Sequence, residues 1–175
     1  MTDTTQTSDA TATSDPLDAS NPVDTSIPLD TPGWRPLTAD VDAFLAEYER
    51  RGSDPGSDSG AHFAEQFLTL DPNHCLALAR ATLVASLPAR RQLFEKAGVG
   101  PLRLAGARQL DLDERHVLVR TAWAADRAGG APLRLTATFL LRRDDDGTRI
   151  VVYLNHHDVR ALLSPAATAT PAPPA

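Results

Sequence analysis

The chain has 175 residues, enough for one domain with its own core and too few for two. Its net charge of −6 is localised: Asp3, Asp9, Asp15, Asp18, Asp24 and Asp30 all precede the first arginine, Arg35, and the remaining 17 acids balance 17 bases. A neutral body argues against nucleic-acid binding, which needs a basic face to displace counterions.

Cys75 is the only cysteine, which excludes an intramolecular disulfide and a cysteine-based metal site. No apolar run approaches the roughly 18 residues of a membrane span. The start of the chain has neither a basic nor an apolar leader region, so a cytoplasmic protein is expected. Lys96 is the sole lysine beside many arginines and alanines, a bias typical of a GC-rich bacterial genome.

Residues 1–36 are rich in Thr, Ser, Asp and Pro and offer too little apolar surface to offset ordering, so a disordered acidic tail is expected there. The Ala/Thr/Pro run over 164–175 reads the same way. Between them, 37–163 reads as one domain. Thr38 precedes Val41, Phe44, Leu45 and Tyr48, the stripe of an amphipathic helix ending near Gly52. A Ser/Asp/Gly/Pro loop over 53–60 follows. Residues 61–68, with Phe63, Ala64 and Phe67 on one face, predict a second short helix. After the turn Asp71-Pro72-Asn73, the apolar stretch from Cys75 to about Val84 fits a buried strand or a helix, and periodicity does not decide. Pro88 suits the first position of a helix running to Gly98.

From Leu102 the period becomes two. The rows expected to face inward are Leu102, Leu104, Gly106, Arg108 and Leu110; then Val117, Val119, Thr121 and Trp123; then Leu133, Leu135, Ala137, Phe139 and Leu141; then Ile150, Val152, Leu154 and His156. Asp111 to Glu114, Gly129-Gly130 and Asp146-Gly147 separate the runs, the last a strong hairpin signal. A short helix over 158–163 follows. The opposite rows place Arg103, Arg120, Arg134, Thr136 and Thr138 outside, with Leu118, Leu140, Val151 and Tyr153 among them. That outer face is either solvated or a dimer interface.

The order helix, helix, apolar segment, helix and four meandering strands resembles the nuclear-transport-factor-2-like superfamily, which includes SnoaL-like polyketide cyclases, ketosteroid isomerases and scytalone dehydratases. The resemblance rests on the Phe44–Tyr48 helix, the Pro88–Gly98 helix and the strand ending in Trp123, and spans about Leu37 to Leu163. It implies an α+β fold, a cone-shaped curved antiparallel sheet packed on three N-terminal helices, with a pocket at its wide end. It also implies homodimers through the outer sheet face. No motif diagnostic of one member is present, so the family's catalytic residues do not transfer one by one.

No carboxylate falls on an apolar strand row, where burial would raise its pKa toward general-base use. His156 continues the fourth inward row and is the candidate catalytic residue, as general base. Tyr48, Phe63, Phe67, Trp123 and Phe139 are the expected ligand-binding wall. His157-Asp158 would lie on the other face. His74 and Cys75 are adjacent and point apart, which disfavours a Cys–His nucleophile. His74, His116 and His156 lack metal-site spacing, so no metal is expected, and no cofactor. The leading expectation is a binding protein for an apolar or aromatic small molecule. The rivals are a cyclase, isomerase or dehydratase using His156, and an interaction module whose cone is filled by side chains.

Overall fold

The computed structural model describes residues 33–54 and 56–164. The expected tails therefore lie outside the described residues up to Pro32 and beyond Ser164. The elements run α1 (Ala39–Ser53), β1 (Phe63–Leu70), β2 (Cys75–Ala79), α2 (Arg80–Lys96), β3 (Arg103–Asp111), β4 (His116–Ala125), β5 (Leu133–Asp144), β6 (Gly147–Asn155) and α3 (Val159–Leu163). The six strands form one curved, unclosed sheet in the order β2-β1-β6-β5-β4-β3. The architecture is α+β, as expected. The sheet is mixed rather than wholly antiparallel, because β1 pairs with β6 in parallel. Two helices precede the meander and the third follows it.

The four predicted strands become β3 to β6. The helix expected over 61–68 is instead β1, and the helix expected from Pro88 starts at Arg80. Phe63 and Phe67, four residues apart, share a face in a strand as well as in a helix, so their spacing fits both. The undecided stretch from Cys75 is both things in turn, five residues of strand and then the opening of α2. Pro88 sits inside α2, where it leaves the Val84 carbonyl without its i+4 amide donor. Gly98, at a φ of 66°, ends that helix, and the Gly98 N–H donates to the Glu95 carbonyl at 2.9 Å.

The core lies between α1 and the inner sheet face: Val41 and Leu45 meet Val117, Val119, Phe139, Leu141 and Ile150, all at most 2% exposed. Two bulges govern which residues join it. In β3, Leu104 pairs with Trp123 and Gly106 with Ala122, leaving Ala105 extra. The inward row therefore changes parity, and Ala107 and Gln109 replace the expected Arg108 and Leu110. In β6, Ile150 pairs with Leu141 and Val152 with Leu140, leaving Val151 extra. A one-residue shift sends every later side chain to the other face.

Ahead of α1, Arg35 bridges Gln109 through two backbone hydrogen bonds of 2.9 Å. Gln109 is fully buried; its Oε1 accepts from Thr38 N at 2.7 Å and Thr38 Oγ1 at 3.0 Å, and its Nε2 donates to Asp111 Oδ1 at 3.1 Å. It thus fixes the start of α1 against β3. Gln109→Leu leaves those Thr38 donors unsatisfied, so a loss of about 1–3 kcal/mol is expected in urea unfolding.

Candidate functional site

The inner face of the sheet does not close on α2. A cavity of about 510 Å³ separates them. Tyr48 of α1, Phe63 of β1 and Trp123 of β4 supply aromatic walls, and Leu83, Leu87 and Phe94 of α2 face them. Tyr48 lies 5.8 Å from Trp123 and 6.3 Å from Phe63 between ring centroids. The Trp123 indole N–H donates to Thr121 Oγ1 at 2.8 Å, so its one polar atom is satisfied inside the sheet. Exposed Gly52, Ser53 and Glu95 form part of the rim. A chamber of this size with apolar walls suits a molecule of a few fused rings.

Its polar groups come from several elements. Tyr153 and Asn155 enter from β6 and Arg90 and Arg91 from α2, with Ser53 and Ser59 also on the lining. Burial, and then the neighbouring Tyr153 phenol, push the Tyr48 hydroxyl well above its ordinary pKa, so it stays a protonated donor. The same Tyr153 phenol holds the Arg90 guanidinium above its ordinary value. Arg90 also lies 5.8 Å from the centroid of the Phe94 ring. Two acids line the cavity: Glu49, paired with Arg103 at 3.6 Å, and exposed Glu95.

Of the residues expected from sequence, Tyr48, Phe63 and Trp123 line this cavity. Phe67 and Phe139 are buried in the packed core and are not among its lining residues. His156 is elsewhere. The Val151 bulge turns it outward, where it is exposed and its Nε2 lies 2.8 Å from Thr138 Oγ1. Burial and the nearby Arg120 lower its pKa. The same bulge carries Tyr153, expected outside, into the cavity wall, with Asn155 two residues on. His157 Nε2 lies 2.9 Å from Thr136 Oγ1. His74 and His116 each sit beside an aspartate in a turn, with Asp71 at 3.1 Å and Asp113 at 2.9 Å, and Cys75 is exposed. Among the described residues no group of three or more His, Cys, Asp or Glu is placed to hold a metal.

Sequence reasoning missed Arg90, Asn155 and His62. A signal existed for Arg90: Leu83, Leu87, Arg90 and Phe94 fall at i, i+4, i+7 and i+11, one face of a helix. His62 is 7% exposed, packs edge-on against Phe44 at 4.9 Å and Tyr48 at 5.5 Å, and its Nδ1 has no hydrogen-bond partner among the described residues. Burial, then the charge of Arg51, lower its pKa, with Arg149 adding to this and Glu47 and Asp58 opposing it. Below its unfolded pKa of about 6.5 the native state binds fewer protons than the unfolded chain, so stability falls as pH drops through that value and is intact above it. His62→Phe is expected to flatten that slope, by no more than about 1.4 kcal/mol per pH unit, in urea unfolding series on either side of that pH.

Neither a protein-family model nor a curated protein matches the chain by sequence. Solved structures do match by shape. An NTF-2-like protein of unknown function from Shewanella oneidensis MR-1 superposes with a TM-score of 0.54 at 16% identity, covering 67% of this chain and 97% of that one. Aln2 from a Streptomyces species gives 0.56 at 15% identity, covering 73% and 98%. ActVI-ORFA from Streptomyces coelicolor gives 0.54 at 16% identity, covering 69% and 97%. These likenesses are of fold alone: the chain has the nuclear-transport-factor-2-like fold. No helix among the described residues is long and apolar enough to cross a membrane.

Proposed function

We propose that this is a small-molecule-binding protein whose ligand, an apolar or aromatic molecule, occupies the cavity between α2 and the sheet. The observation that carries the reading is the chamber of about 510 Å³, walled by Tyr48, Phe63 and Trp123 and left unfilled by side chains. That space speaks against an interaction module with a filled core. Against the enzymatic alternative stand the position of His156 on the other face of the sheet and the ion pair of Glu49 with Arg103. The reading includes a cytoplasmic homodimer joined through the outer sheet face. Leu118, Leu140, Val152 and Leu154 lie half-buried there and Leu68 is 42% exposed, an apolar surface that a second copy would cover.

The test is native mass spectrometry of the protein purified from its own host. A co-purifying small molecule released on denaturation is expected. A clean unliganded mass from several preparations contradicts the reading.

A further inference from the structure

The cavity wall carries two arginines of α2, Arg90 and Arg91. Arg90 lines the chamber between Leu87 and Phe94 of α2, and among the described residues no carboxylate pairs with it. Glu49 belongs to Arg103, and Glu95 is exposed at the rim. Near Arg90 stand the Tyr153 phenol and the Tyr48 hydroxyl, and the Asn155 side-chain amide lines the same cavity. Neither the Tyr48 hydroxyl nor the Asn155 amide makes a hydrogen bond to another described residue. A guanidinium offers five donors in a planar fork that matches a carboxylate, and an apolar surround strengthens such a contact. An arginine facing two donors instead of an acid is arranged for an anion that arrives with the ligand.

We infer that the ligand is a planar apolar acid, whose carboxylate or phenolate seats between Arg90, Tyr48, Tyr153 and Asn155 while its ring system lies against Phe63 and Trp123. This rests on the binding role proposed above and names the chemical class that the site selects.

The experiment titrates the full chain at neutral pH with 2-naphthoate and with its neutral analogue 2-naphthalenemethanol by calorimetry. The acid is expected to bind roughly ten- to hundred-fold more tightly than the alcohol. Arg90→Met is expected to abolish that preference, the loss falling mainly on the acid, and circular dichroism checks that the variant is folded. Arg90→Gln serves as a second neutral variant with the same expectation, and Arg90→Lys keeps part of the preference. Equal affinities in the wild type, or a preference that survives both neutral variants, overturn the anion site and leave the binding role standing. Failure of both molecules to bind overturns both.

Discussion

Phe139→Ala lowers the unfolding free energy by about 3–5 kcal/mol, the largest loss expected from one truncation in this core. Phe139 is 1% exposed and is the largest of the fully buried side chains. It sits at the junction of core and cavity, 5.5 Å from Tyr48 and 5.4 Å from Tyr153 between ring centroids. Removing its ring takes away the packing of both tyrosines, so ligand affinity falls together with stability. Equilibrium urea unfolding measures the first effect and a titration with 2-naphthoate the second. A loss under about 1 kcal/mol would mean that β5 does not present Phe139 to the core as described.

Leu87→Trp has the opposite signature. Leu87 lines the cavity from α2, and a larger ring there enters open space rather than packed core. The unfolding free energy is expected to stay within about 1 kcal/mol of the wild type, because overpacking strain arises only where neighbours are already in contact. Affinity for 2-naphthoate is expected to fall at least about 100-fold, since the added ring takes the volume the ligand needs. The pair of variants separates the two parts of the molecule: one weakens fold and site together, the other the site alone. A Leu87→Trp protein that binds as well as the wild type would place the ligand outside the chamber.

The strand meander was legible because its faces are unambiguous. Val117, Val119, Thr121 and Trp123 alternate with less apolar neighbours, and Leu133 to Leu141 does the same, so period and parity both survive folding. The bulges were not legible. Ala105 lies in Leu-Ala-Gly-Ala and Val151 in Ile-Val-Val-Tyr, and neither stretch has a charged residue to mark where parity changes. That one extra residue in β6 decides the chemistry of the site. It places a phenol and an amide on the cavity wall where an imidazole was expected, which favours the proposed binding role over acid–base chemistry. The aromatic wall at Tyr48, Phe63 and Trp123 was visible from size and position. Arg90 was obscured because it neighbours Arg91 and reads as part of a solvated helix face until the Leu83, Leu87 and Phe94 stripe is drawn through it.

If the chamber between α2 and the sheet is where a small apolar molecule binds, nitrogen–proton correlation spectra of the full chain show it most directly. Recorded during titration with 2-naphthoate, they are expected to give saturable shifts at Leu87, Arg90, Tyr153 and Asn155 and at the Trp123 indole, all on the cavity wall. Shifts confined to Arg120, Thr138 and His156 on the outer face, or no shifts at all, would contradict it.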